Sequence, residues 1–333
     1  MKTSTASAAH KRGLKTRLWA NVLRTHPFIV LRIALTWVVM LPWFLIMVMG
    51  SSFKASRWSR LKTCRNFMKK NELAFSEIDP DSIQIESLSG GLSNSNHLWR
   101  CKRKDGSNVT FFVKVFVAIG TFWARNLSLV SPFPEVYGIS TRERFAVDIV
   151  SRVLLAERGI AVPGLVAFDA VEQVLVTNYL EGKNVDEILR HAGQEEKIQE
   201  ETETVIRLCA GGLGKIHRLG YSLIDTQPIN CIWSAEDHRV YFTDLEFCTR
   251  RDKRLWDVAF FMCFLSIRLP GELKMKAHKI FLTEYEKESG LNRAELDKIH
   301  ARLDEYIPIF RTVLDLRQFK PEELLAELAN PAG

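Results

Sequence analysis

From Phe28 to Met49 the chain reads FIVLRIALTWVVMLPWFLIMVM, a run of 22 residues interrupted only by Arg32 and Pro42. As a helix it would extend about 33 Å, enough to cross a hydrocarbon layer of about 30 Å. No other segment limits the fold as strongly, because in lipid each backbone N–H and C=O must be satisfied within the chain. Trp37 and Trp43 are of the aromatic type found at membrane interfaces, and Arg32 stands near one end, where it can snorkel to headgroups. A cleaved leader fits poorly, since the run is too long and no small-residue cleavage site follows. The alternative is a helix buried in a core. The expectation is a membrane segment over 28–50.

Charge is divided in the same place. Residues 1–70 hold 14 of the 46 Lys and Arg and no acid; the first acid is Glu72. That leaves 32 basic against 39 acidic residues for the rest, a net of −7, although the whole chain carries +7. The body is therefore mildly acidic, which excludes a basic nucleic-acid-binding face on it. The expected partner of the arm is a bilayer with anionic headgroups, with Trp58 and the basic residues of 54–70 lying on it. Both flanks of the run are basic, so the positive-inside rule does not orient it. A single span and a re-entrant hairpin broken at Pro42 both remain open. Six scattered cysteines without a CxxC pair read as buried free thiols.

The soluble part is expected from about residue 71. IQIESL (83–88) alternates like a strand, and Gly90-Gly91-Leu92-Ser93-Asn94 follows it. A strand over HLWRCKRK, an Asp105-Gly106 turn and the strand VTFFVKVF come next. Small residues in such a turn let backbone N–H groups approach phosphate oxygens, though an ordinary hairpin has the same composition. Lys114 inside an apolar strand is more informative: a buried ammonium is costly and requires an anionic partner. A helix over 140–158 shows an apolar stripe of Phe145, Ile149, Val153 and Leu154, closes at Gly159, and carries Glu143 where a strand lysine could reach it. Two short strands lead to Gly182, and two helices joined by a charged link fill 184–220. His217 at the end of the second helix reads as structural.

Asp225 and Asn230 then lie five apart in a Pro-containing loop, and after a Trp233–Tyr241 hairpin Asp244 ends a short apolar strand. Phosphoryl transfer needs an acceptor for the proton of the attacking hydroxyl and hard oxygen ligands for magnesium. Asp225 suits the first task, and Asn230 with Asp244 the second. No HExxH, GxSxG or Cys–His pattern competes.

The ordered set GGLSNSN, FFVKVF, the Glu143 helix, VTNYLEG, LGKIHRLG, DTQPIN and TDLEF…LWDVA resembles the protein-kinase-like superfamily. It is most similar to the aminoglycoside phosphotransferase and choline kinase branch. The resemblance implies an α+β, two-lobed fold with a small antiparallel sheet lobe and a helical lobe. It divides the chain into a basic arm (1–27), the membrane segment (28–50), a basic juxtamembrane linker (51–70), an ATP-binding lobe (71–182) and a catalytic lobe (183–333).

The resemblance further implies that Gly90, Gly91, Ser93 and Asn94 cradle ATP phosphates, that Lys114 contacts them and pairs with Glu143, and that Asn178, Tyr179 and Leu180 receive adenine. Asp225 would be the catalytic base, Asn230 and Asp244 would hold Mg2+ or Mn2+, and Asp257 would brace the catalytic loop. Two departures stand out: Leu223 replaces the branch's usual His before the catalytic Asp, and a long aromatic insert separates Lys114 from Glu143. The insert would be a surface loop, a lid or a membrane-resting surface. The implied activity is a membrane-anchored, ATP- and Mg-dependent kinase acting on a lipid, glycan or other small hydroxyl acceptor, with its kinase domain facing the cytoplasm. An atypical Ser/Thr protein kinase and a non-catalytic pseudokinase scaffold are the alternatives.

Overall fold

The computed structural model describes residues 49–88, 94–118, 140–292 and 294. The arm and nearly all of the apolar run, residues 89–93 with Gly90, Gly91 and Ser93, the aromatic insert and the chain beyond 294 lie outside the described residues. Among the described residues no helix is long and apolar enough to cross a membrane.

Five strands form one antiparallel sheet in the order β1-β2-β3-β5-β4: β1 (Ile78–Leu88), β2 (Asn94–Arg103), β3 (Asn108–Phe116), β4 (Leu165–Asp169) and β5 (Val174–Asn178). The β2–β3 turn follows its sequence signal. Gly106 takes the left-handed conformation (φ 87°), while Asp105 Oδ1 accepts from the Ser107 amide at 2.8 Å. Alternation along β3 sends Phe111, Val113 and Val115 to one face and Lys114 and Phe116 to the other.

The first face is covered by a helical segment over 49–58, α1 (Leu61–Lys70) and α2 (Glu72–Phe75). Trp58 stacks on Trp99 with centroids 6.2 Å apart, and Phe67 meets both rings edge-on. Trp58 therefore does not lie on headgroups: it is 2% exposed, and Cys64, Phe67 and Met68 are buried with it. Several of the basic side chains are also used within the lobe. Lys54 Nζ donates to the Phe116 carbonyl at 2.8 Å, and Arg57 pairs with Glu172 at 2.9 Å. Cationic charge marked this stretch, but the apolar residues spaced along it decide where it packs.

The opposite face meets α3 (Thr141–Glu157), where Phe145 packs edge-on against Phe116. The buried side of α3 differs from the expected stripe. Arg144, Phe145, Asp148, Ser151, Arg152 and Leu155 are buried, whereas Val150 and Val153 are exposed. Gly159 closes the helix with φ 76°, as its sequence position suggested.

The second lobe is mainly helical. It contains β6 (Lys183–Asn184), α4 (Val185–Gln194), α5 (Glu200–Arg218), a 3-10 turn (Pro228–Asn230), β7 (Cys231–Ser234), β8 (Arg239–Phe242), α6 (Arg254–Arg268) and α7 (Gly271–Ser289). Strands β6, β7 and β8 form a small antiparallel sheet. Helix α5 packs closely on α7, and Gly214 makes this possible: a Cβ there would lie 2.9 Å from Glu288 Cβ and 3.0 Å from the Ser289 nitrogen. All six cysteines are buried and unbridged, as composition suggested. The architecture is α+β, with an antiparallel sheet beside a helical lobe, consistent with the kinase-like resemblance.

Candidate active site

Lys114 extends from β3 toward α3 and the segment that follows β8. Its Nζ lies 2.9 Å from Asp148 Oδ2, 2.5 Å from Asp244 Oδ1 and 3.0 Å from Glu246 Oε2. Burial alone would lower the lysine pKa, but these three carboxylates outweigh it and hold the ammonium above its ordinary value. Asp148 also accepts from Arg152 Nη2 at 2.6 Å, and Glu246 from Arg144 Nη1 at 2.9 Å. Three cations and three carboxylates thus balance in a nearly dry cluster. Burial acts against the charged forms of Asp148 and Glu246, yet Lys114 and the neighbouring arginines keep both below the usual carboxylate range.

The expected partner of Lys114 is not the observed one. Glu143 is the third helical residue of α3; it accepts from the Ser140 backbone amide at 2.6 Å, while Ser140 Oγ accepts from the Glu143 amide at 3.2 Å. This reciprocal capping box keeps Glu143 exposed at the helix end, and its hydrogen bonds to Ser140 lower its pKa. Asp148, more than a turn further along the buried side, takes the lysine. The signal was present in the sequence: Arg144, Asp148 and Arg152 recur every four residues, so they share one stripe of the helix with alternating sign.

Asp225 and Asp244 come from separate loops that are joined twice. Ser222 and Thr249 exchange backbone hydrogen bonds of 2.8 Å, and the Thr243 amide donates to the Asn230 carbonyl at 2.8 Å. Asn230 Nδ2 donates to the Asp225 carbonyl at 3.0 Å, and Gln227 Nε2 donates to Asp225 Oδ1. Ile224 and Asp244 both adopt left-handed backbone, φ 70° and 55°. Such conformations cost on the order of 1–3 kcal/mol in a non-glycine residue and persist where surrounding contacts enforce them.

At Ile224 those contacts centre on Asp257, which is fully buried in the first turn of α6. Its Oδ2 accepts from the Leu223 amide at 2.6 Å and its Oδ1 from the Ile224 amide at 2.8 Å. Thr226 Oγ1 donates to the Asp257 carbonyl at 2.8 Å, and Trp256 Nε1 to the Ile224 carbonyl at 2.9 Å. His217 links Asp257 (2.9 Å) to the Tyr285 hydroxyl (2.6 Å). A carboxylate gripping two backbone amides does not depend on the side chain at 223, so Leu223 can occupy that place while its amide anchors the loop.

Among the described residues no group of three or more His, Cys, Asp or Glu side chains forms a metal site. Asn230 and Asp244 are of the oxygen types that could hold a magnesium ion, which takes one or two protein oxygens and fills its remaining positions with water and phosphate. Asp244 is 30% exposed, and Lys114 occupies its Oδ1. Burial, with Glu246 and Asp225 adding to it and Lys114 opposing, pushes the Asp244 carboxyl up to about 6. The Asn178–Leu180 segment begins at the last residue of β5. The Asn178 amide donates to the Gly164 carbonyl at 2.9 Å and the Tyr179 amide to the Thr110 carbonyl at 3.2 Å. A base docking there must use carbonyls or the Leu180 amide. Asn94, the first residue of β2, is buried against Glu246.

No protein-family model and no curated protein matches the chain. Among solved structures, WaaP in complex with acyl carrier protein aligns at a TM-score of 0.41 with 17% identity, over 71% of this chain and 95% of that one. An overlap at that level does not bear on the chemistry of either chain.

Proposed function

We propose that the chain is an ATP- and magnesium-dependent phosphotransferase that passes the terminal phosphate to a hydroxyl of a membrane-associated lipid, glycan or other small acceptor. One observation carries the proposal: two loops tied at Ser222–Thr249 and Asn230–Thr243 carry Asp225 and Asp244, whose carboxylates lie near enough to interact, and the Asp244 carboxylate meets the Lys114 ammonium at 2.5 Å. Asp225, exposed enough to meet a substrate and fixed by the Asp257 brace, accepts the proton of the attacking hydroxyl. The hydroxyl oxygen bonds to the terminal phosphorus as the bond to the ADP oxygen breaks. Lys114, kept charged by its carboxylates, supplies a fixed cation for phosphate oxygens. Asn230 and Asp244 would hold the metal, which when bound neutralises charge on the phosphate oxygens. The apolar run would confine the site to the plane of such acceptors, on the cytoplasmic side where ATP is found.

Asp225→Ala is expected to slow transfer about a hundred- to ten-thousandfold while leaving thermal stabilisation by Mg-ATP close to wild type. Asp244→Ala is expected to lose both. Wild-type protein that neither binds nor consumes ATP would contradict the proposal.

A further inference from the structure

Glu246 lies two residues beyond Asp244 and is 1% exposed. Its two oxygens meet donors from three elements. Oε1 accepts from Arg144 Nη1 at 2.9 Å, on α3. Oε2 accepts from Asn94 Nδ2 at 2.8 Å, at the start of β2, and lies 3.0 Å from Lys114 Nζ on β3. Arg144, which has no exposed surface, also donates through Nη2 to the Val117 carbonyl at 3.0 Å and through Nη1 to Asn94 Oδ1 at 3.4 Å. The Phe116 ring supports both cations, its centroid 4.6 Å from Lys114 Nζ and 5.8 Å from Arg144 Cζ.

A second carboxylate so near Asp244 invites the role of metal ligand, but its chemistry opposes this. Both Glu246 oxygens are engaged by charged or amide donors and shielded from solvent, whereas Asp244 is 30% exposed. Releasing Glu246 to a metal would leave Arg144 and Lys114 sharing fewer anions in a dry interior, where an uncompensated charge is strongly destabilising.

We propose that Glu246 and Arg144 are positioning residues that lock the strand lysine, the start of β2 at Asn94, and α3 onto the Asp244 segment, and that Glu246 takes no part in metal binding. The kinetic consequence rests on the phosphotransferase reading; the structural one does not.

The test uses the full chain and the variants Glu246→Gln, Arg144→Met, Arg144→Lys and Asn94→Ala, with Asp244→Asn for comparison. In unliganded protein, Glu246→Gln and Arg144→Met should accelerate backbone hydrogen exchange together in 94–98, 112–116 and 141–148, with α5 unchanged. Phosphate transfer should slow roughly ten- to a hundredfold, as misplacement of a reacting group predicts. The Mg2+ concentration for half-maximal rate should stay at the wild-type value in Glu246→Gln and rise in Asp244→Asn, and Arg144→Lys should recover part of the rate. Should the first two variants fail to fold, Asn94→Ala and Arg144→Lys carry the same exchange prediction at smaller size. Exchange accelerated only in the substituted element, or a wild-type rate, would overturn the proposal. So would a Mg2+ requirement in Glu246→Gln that rises as in Asp244→Asn. If wild type transfers no phosphate, the phosphotransferase reading fails, and exchange alone decides whether the lock exists.

Discussion

Lys114 shows how far a single residue type constrains its surroundings. A lysine in an apolar strand requires an anion, and that requirement was legible in the sequence; the identity of the anion was not. Glu143 has the right type and sits near the right place, but a capping box needs a Glu three residues after a Ser, and Ser140 claims it. The two carboxylates should therefore separate on substitution. Glu143→Ala should lower stability only slightly, through loss of half the capping box, and leave Mg-ATP binding intact. Asp148→Ala should cost about 3–5 kcal/mol, because it leaves Lys114 and Arg152 short of a buried partner, and should abolish nucleotide binding. Denaturant unfolding and nucleotide titration distinguish the two; equal effects would contradict the assignment of Asp148.

Asp244 adds a pH dependence at the same scale. Its carboxyl is raised to about 6, chiefly by burial. Below that value a proton occupies an oxygen the metal needs, so the Mg2+ concentration for half-maximal rate should climb about tenfold per unit as pH falls below about 6. Above it the requirement should level off. A flat dependence from about pH 5 to 8 would mean that Asp244 is not the ligand.

At the scale of elements, periodicity and turn chemistry located the strands, the closing Gly159 of α3 and the hairpin before Asp244, because each depends on local residues. Two placements depended on tertiary packing instead. The buried face of α3 is charged, so an apolar-stripe search selected exposed Val153. The helices over 49–70 are rich in cations, so charge pointed to headgroups while Trp58, Phe67 and Met68 turn inward against the sheet. A cut that removes residues 1–48 should leave a cooperatively folding protein. A cut at residue 71 should not, since losing Trp58 alone amounts to about 3–5 kcal/mol. Thermal unfolding of the two truncated chains measures this, and a stable chain beginning at 71 would show that the helices are dispensable.

Across the whole molecule, the residues of the candidate site come from β3, α3 and two loops more than 100 positions beyond β3 in sequence, linked by Asp257, the Ser222–Thr249 bridge and the buried charge cluster. Asp225, Asn230 and Asp244 stand out in the sequence because they form a spaced set of residue types that phosphoryl transfer needs, and the structure ties their loops together. Arg144 and Asp148 showed only as part of an alternating-charge stripe on α3, whose meaning depends on the β3 surface opposite it. Nearly all of the apolar run, residues 89–93 and the aromatic insert lie outside the described residues, so the acceptor is approached most directly by chemistry. The decisive measurement is the fate of label when purified protein, ATP labelled at the terminal phosphate, Mg2+ and native membranes are incubated together. The account predicts label in a lipid or glycan fraction with wild type and none with Asp225→Ala. Label confined to protein would place the acceptor in another class, and no transfer with wild type would contradict the account.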